Sequence, residues 1–202
     1  MSDKEIRMSR SSTIRRRTRE TDIAVSIDLD GSGVTNVATG VPFFDHMLDA
    51  FGRHGLLGLS VHAEGDLDVD AHHTVEDVGI VLGQALAEAL ADKTCITRFG
   101  SCLMPMDEAL VMAAVDISGR GQLHYAVELP IEIIGTFDTT LAKEFLLALA
   151  TNAGLTLHVR TLAGDNAHHI IEAVFKAVAR ALKDAVALDP RVSGVPSTKG
   201  AL

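Results

Sequence analysis

Between Ile23 and Leu29 the chain alternates apolar and polar side chains, Ile23-Ala24-Val25-Ser26-Ile27-Asp28-Leu29. A period of two predicts a strand with one face buried. Asp30-Gly31 follows, with the residue chemistry of a hairpin turn. The alternation returns in Ala109-Leu110-Val111-Met112-Ala113-Ala114-Val115-Asp116-Ile117. Superposing the two strands sets Glu20 opposite Glu108 and Asp28 opposite Asp116. A helical segment comes next in each half, Asp45-His46-Met47-Leu48-Asp49-Ala50-Phe51 against Lys143-Glu144-Phe145-Leu146-Leu147-Ala148-Leu149. A short alternating strand follows, Leu57-Gly58-Leu59-Ser60-Val61 against Leu155-Thr156-Leu157-His158-Val159. Last, Asp70-Ala71-His72-His73-Thr74-Val75-Glu76 matches Asn166-Ala167-His168-His169-Ile170-Ile171-Glu172. Each of these opens a helix of apolar periodicity, over 78–91 and 174–186, behind a favourable N-cap residue, Asp70 or Asn166.

Each half therefore reads as strands, helix, strand, helix. The expected fold is α+β and internally duplicated, two similar halves each with a four-stranded sheet and two helices around a shared core. Amphipathic patterning alone could reproduce the apolar matches. It would not readily produce Asx-Ala-His-His-x-x-Glu twice. The expected organisation is a polar N-terminal tail over 1–12, a first repeat over 13–97, a second over 98–190 and a C-terminal tail over 191–202.

Composition narrows the picture. The chain has 202 residues, room for one compact domain or two packed halves. Aromatics make up 4 % and Trp is absent, so Ala, Leu, Val and Ile are expected to fill the core. A formal net charge of -9 argues against a broad nucleic-acid surface but leaves room for a local basic pocket. Cys95 and Cys102 lack CxxC spacing and form no disulfide framework. The longest apolar stretch, 78–91, is broken by Gln84 and Glu88, so no membrane span is expected. Arg15-Arg16-Arg17 runs into Thr18-Arg19-Glu20-Thr21-Asp22 rather than an apolar segment, which is no export signal. A cytoplasmic protein with reduced cysteines is the expectation.

The duplicated motif points to metal chemistry. Neutral imidazole and carboxylate suit manganese, iron and zinc. On a helix, His72 with Glu76, or His73 with Glu76, can converge on one ion. Adjacent histidines point about 100° apart, so His72 and His73 do not easily share an ion. Each motif is then expected to feed two metal sites, completed by the other half or another subunit. His46 precedes a helical face in the first half, and Glu144 holds the matching place in the second. The candidate ligands are His46, His72, His73, Glu76, Glu144, His168, His169 and Glu172, enough for two four-ligand sites. His62 and His124 have no matched partner and read as surface residues, and His158 reads as structural. Asp28-Leu29-Asp30-Gly31-Ser32-Gly33 resembles a calcium loop, but Thr39 stands where its closing Glu belongs, so it is read as the hairpin turn.

These residues carry a family resemblance. From about Arg15 onward the chain resembles imidazoleglycerol-phosphate dehydratases, through Arg19-Glu20-Thr21, Thr39-Gly40-Val41-Pro42-Phe43-Phe44-Asp45-His46-Met47-Leu48 and the first His-His motif ending at Asp77. Further matches are Pro105-Met106-Asp107-Glu108, Ser118-Gly119-Arg120, Asn166-Ala167-His168-His169, Phe175-Lys176-Ala177 and Pro196-Ser197-Thr198-Lys199-Gly200. The resemblance implies a duplicated fold of the ribosomal-protein-S5-domain-2 type, two manganese ions (Mn2+) per active site and a homo-oligomer of 24 subunits with active sites between them. It implies dehydration of imidazole glycerol phosphate to imidazole acetol phosphate, in histidine biosynthesis. Many members carry His where this chain has Glu144, and a carboxylate can serve manganese in its place.

The reaction must remove a carbon-bound proton and expel hydroxide, which calls for a Lewis acid and an acid–base group. Glu20 is the expected acid–base residue, with Glu108 second, and Glu20 also fits substrate contact. Arg98, Arg120, Ser197, Thr198 and Lys199, with His54 assisting, are the expected phosphate-binding residues. Two other functions use the same inventory: a dinuclear metal hydrolase, which would release phosphate, and a metal-assembled shell without catalysis, which would not need Glu20.

Overall fold

The computed structural model describes residues 10–202. The first nine residues of the expected tail lie outside the described residues. The first half contains β1 (Ser11–Arg17), β2 (Thr21–Asp28), β3 (Thr35–Ala38), α1 (Pro42–Gly55), β4 (Gly58–Gly65) and α2 (His72–Leu90). The second contains β5 (Phe99–Met106), β6 (Ala109–Asp116), β7 (Gln122–Ala126), β8 (Ile133–Ile134), β9 (Phe137–Asp138), α3 (Leu141–Ala153), β10 (Thr156–Ala163) and α4 (Ala167–Val186). Two four-stranded sheets result, ordered β1-β2-β4-β3 and β5-β6-β10-β7. In each, the last strand runs parallel to its neighbour while the rest pair antiparallel. β2 and β6 share one burial alternation, and each opens with a residue that follows a glutamate, Glu20 or Glu108. The duplication read from the sequence is thus present in topology and register.

Three expectations need correction. The first half begins at Ser11, so Ser11 and Ser12 belong to a strand rather than a tail. Arg10 anchors it with a bidentate grip on Asp30 at 2.6 and 3.0 Å. Asp30-Gly31 is no hairpin turn: β3 pairs with β4, not with β2, so the chain crosses over there. Asp70 stands one place outside the N-cap, Ala71, yet still accepts the His72 N–H at 2.7 Å. Asn166 is the N-cap expected and accepts the His169 N–H at 3.2 Å. The extra length of the second half is the small β8–β9 ribbon before α3, which two-residue strands leave invisible to periodicity.

The helices form the middle of a sandwich between the sheets, and they pair across the halves. α2 lies on β1 and β2 and packs against α3; α4 lies on β5 and β6 and packs against α1. One continuous core cluster fills both halves. The few aromatics concentrate at this junction: Phe145 stacks on Phe175 at 5.2 Å and meets Phe44 edge-on at 5.3 Å. The core therefore centres on Phe from α1, α3 and α4, with the aliphatic residues around it.

The α2–α3 contact is close because α2 carries glycines there. A Cβ on Gly79 would lie 2.7 Å from the Phe145 carbonyl oxygen, and one on Gly83 2.7 Å from Asn152 Cβ. Substituting Gly83 by Val must push the helices apart, and overpacking of this kind costs about 1–3 kcal/mol. Gly83→Val should lower the denaturation midpoint accordingly; an unchanged midpoint in a chemical melt would show that the seam is looser than described.

Candidate acid–base and metal site

Crossed helix packing gathers residues that lie far apart in the chain. His168 and Glu172 stand one turn apart on α4, with Nε2 and Oε2 separated by 3.3 Å. α1 carries His46 to the same carboxylate, Nε2 to Oε2 at 3.4 Å. Ligand atoms of His46, His168 and Glu172 lie within 4.8 Å of one another. Phe43, buried beside them, holds the His168 ring edge-on at 4.9 Å. Glu172 is buried, and Lys176 donates to its other oxygen at 2.5 Å. Burial pushes the Glu172 carboxyl up, but Lys176 and His46 together outweigh it, and the net displacement is downward.

The first half reproduces part of this arrangement. His72 and Glu76 stand at 3.8 Å, both about half exposed. Glu144 does not join them in a compact trio among the described residues. It lines a recess with Tyr125, Thr140 and Lys143 instead. The pseudo-twofold thus places Glu144 on the equivalent helix without closing the equivalent cluster within one chain.

The second histidine of each motif points elsewhere, as helical geometry requires. The His72 and His73 rings are 6.1 Å apart at 86°, and those of His168 and His169 6.1 Å apart at 79°. Each faces the glutamate of the turn before β2 or β6. His169 Nδ1 lies 2.7 Å from Glu108, whose other oxygen accepts the Asn166 N–H at 3.2 Å. That bond holds the Glu108 carboxyl down at about 2 and raises His169. His73 Nδ1 lies 3.0 Å from Asp66, which raises it, and 3.9 Å from Glu20. Glu20 sits half exposed on its turn and is not drawn into a comparable bond.

The phosphate candidates lie in a different region of the same chain. Arg98 grips Asp116 with two donors at 2.7 and 3.2 Å and donates to the Pro196 carbonyl at 2.9 Å. It thereby holds the tail that carries Ser197, Thr198 and Lys199; within that tail Ser197 Oγ accepts the Lys199 N–H at 3.2 Å. The exposed Arg120 takes its backbone place from Ser118, which accepts its N–H at 3.1 Å. No hydrogen bond or ion pair joins Arg98, Arg120 or Lys199 to the His46–His168–Glu172 cluster among the described residues. His54, in contrast, lies near the cluster: burial first, then Lys176 and Arg180, push its imidazole down. Lys176 received no role from the sequence. Its spacing of one helical turn from Glu172 was the available signal. His124, read as a lone surface residue, stacks on His158 at 4.2 Å across β7 and β10.

The duplicated α+β scaffold presents paired imidazole–carboxylate groups at two helix N-termini, beside a half-exposed carboxylate on a strand turn. The family model described as imidazoleglycerol-phosphate dehydratase matches residues 39–182. The chain is 63 % identical over 194 residues to the imidazoleglycerol-phosphate dehydratase of Dinoroseobacter shibae, covering 96 % of this chain and 100 % of that protein. It is 59 % identical over 195 residues to that of Moorella thermoacetica, with 96 % and 100 % covered. The crystal structure of the Staphylococcus aureus protein superposes with a TM-score of 0.81 at 42 % identity, over 89 % of this chain and 99 % of that one. The Pyrococcus furiosus structure gives 0.80 at 41 %, over 94 % and 100 %. This chain belongs to the imidazoleglycerol-phosphate dehydratase family of hydro-lyases.

Lys176 makes a direct test of the electrostatics possible. Replacing it by Met removes the cation and leaves burial acting on Glu172. The Glu172 carboxyl should then titrate at higher pH, read from its carbon-13 shift in protein stripped of cations. A carboxyl that titrates unchanged would remove Lys176 from the account.

Proposed function

We propose that this chain dehydrates imidazole glycerol phosphate to imidazole acetol phosphate and water, as a cytoplasmic enzyme of histidine biosynthesis that depends on two manganese ions per active site. Family membership supports the substrate, and the convergence of His46, His168 and Glu172 supports the metal. That donor set fits: two imidazole nitrogens and a carboxylate oxygen, within 4.8 Å of one another, are the mixture a borderline divalent cation takes. His72 and Glu76 would begin a second set, which Glu144 does not close within one chain, and His73 and His169 face away from their neighbouring histidines. Bound manganese would supply Lewis acidity toward the substrate's imidazole and hydroxyl.

The chain's own residues do the remaining work. Glu20 accepts the carbon-bound proton and returns a proton where hydroxide leaves. Glu108 is less suited, since His169 and the Asn166 N–H already engage both its oxygens. Arg120, Ser197, Thr198 and Lys199 bind the phosphate, with Arg98 setting where the tail departs and His54 assisting. Because Arg98 and the tail it holds have no hydrogen bond or ion pair to the metal cluster among the described residues, while His54 lies near it, we read the complete site as one shared with a second subunit. Self-association follows, and family likeness supports a 24-subunit shell. Phe99, Leu103 and Leu162, exposed on the outer face of the second sheet, supply apolar surface for it.

Chelator-stripped protein should be inactive, and manganese should restore loss of one water from the substrate, followed by mass spectrometry. Phosphate release instead would favour a hydrolase. Glu20→Gln should keep metal content and lose turnover by about 10²–10⁴-fold, the usual reach of a general acid–base group. Normal turnover in that variant would falsify the assignment of Glu20.

A further inference from the structure

The turn that carries Glu20 is tied to α2 by a buried polar seam. Thr18 and Thr21 close the turn: the Thr18 hydroxyl accepts the Glu20 N–H at 3.1 Å and the Thr21 N–H at 3.0 Å. The Thr21 hydroxyl lies 3.1 Å from that of Thr18 and donates to Asp77 Oδ2 at 2.5 Å. Arg16 NH1 approaches the same oxygen at 2.6 Å as an ion pair. Asp77 and Thr21 are buried, and Asp77 is the residue after Glu76 on α2. An unbroken chain of polar contacts therefore runs from the metal-motif helix to the backbone of Glu20.

The duplication provides an internal control. The positions matching Arg16, Thr18, Thr21 and Asp77 are Met104, Met106, Ala109 and Ala173. The registers agree, since Met106 pairs with Ala109 as Thr18 meets Thr21. Ala109 and Ala173 are buried. The four matched positions in the second half are thus filled by apolar side chains, with Lys176 reaching the Met106 sulfur at 3.5 Å as the polar contact there. The polar version is not something the architecture demands, and buried ion pairs contribute little to stability over apolar packing. The two halves also hold their turn glutamates differently. Glu108 is held by its own carboxylate, on His169 and the Asn166 N–H. Glu20 is held by its backbone, and among the described residues its carboxylate comes no closer to an ionic partner than 3.9 Å, at His73.

We infer that Arg16, Thr21 and Asp77 are positioning residues for Glu20: they fix its backbone against α2 so that its carboxylate needs no partner of its own. This rests on the reading of Glu20 as the acid–base group. Fixing the backbone through buried neighbours leaves the carboxylate oriented yet able to take and give a proton. A carboxylate bonded as Glu108 is could be equally well placed but would not be available.

The test transplants the second half's solution into the first, as the triple variant Arg16→Met, Thr21→Ala, Asp77→Ala in the manganese-loaded enzyme, beside Thr21→Val, Thr21→Ser and Glu20→Gln. Thr21→Val keeps the shape and removes the donor; Thr21→Ser keeps the donor. The triple variant and Thr21→Val should lose kcat by about 10- to 100-fold, the scale of an ångström-sized misplacement. KM, metal content and melting temperature should stay near those of the unmodified enzyme, and Thr21→Ser should recover kcat. Full kcat in Thr21→Val or the triple variant, with Glu20→Gln inactive, would overturn the positioning role and leave Glu20 standing. Active Glu20→Gln would overturn both. A fall in kcat matched by lost metal or a lower melting temperature would assign the seam to stability. Should the triple variant fail to fold, the Val and Ser pair decides alone.

Discussion

The packing of α1 across α4 is the contact on which the site depends. Without it His46 stays with its own half, and His168 and Glu172 form an ordinary pair one turn apart. With it, three ligand atoms from residues distant in the chain meet within 4.8 Å. Phe44, Phe145 and Phe175 hold that crossing rigid, and Phe43 braces the His168 ring. A scarce residue type is therefore placed where rigidity matters most. The equivalent crossing of α2 and α3 is drawn close by Gly79 and Gly83, yet it leaves Glu144 outside a compact trio. Two contacts related by the duplication have diverged into one closed cluster and one open set.

Much of this was legible in the sequence, because His-His-x-x-Glu occurs twice and helical geometry fixes what it can do. The strand alternation of β2 and β6, the helices and the shared offsets all followed from periodicity. β1 did not. Ser11-Ser12-Thr13-Ile14-Arg15-Arg16-Arg17 has a single apolar residue, so no hydrophobic pattern marks it. It is a strand because β2 needs a partner, and its inward row includes Arg16, which Asp77 makes tolerable. The crossover at Asp30-Gly31 was misread for a related reason: turn chemistry says that the chain bends, not which strand it rejoins. Lys176 was missed because its function depends on the burial of Glu172, which a helical pattern suggests only loosely.

Electrostatics separates the candidate residues more sharply than residue type does. Glu20 and Glu108 match in sequence, yet one is half exposed with a distant neighbour and the other has its carboxyl held down at about 2 by His169. Glu172 and Glu76 also match, yet only Glu172 is buried with a cation on its second oxygen. In each pair the second half carries the carboxylate with more partners. The two copies have thus diverged: the second half builds the compact cluster, and the first leaves its turn carboxylate with fewer partners.

The inferred positioning role accounts for a buried ion pair, Arg16 with Asp77, at positions whose counterparts are Met104 and Ala173. Apolar packing fixes a seam through shape, but it gives no directional hold on a turn whose own side chains face solvent. The Thr21 hydroxyl donating to a buried carboxylate, and the adjoining Thr18 hydroxyl accepting from two N–H groups, together fix position and direction. The second half needs no such device, since its turn is held through Glu108 itself. A carboxylate already bonded at both oxygens, as Glu108 is, has little room to exchange a proton with a substrate, and Glu20, on the proposed reading, is not anchored that way. The anchoring then passes to the backbone, and from there into the core at Asp77.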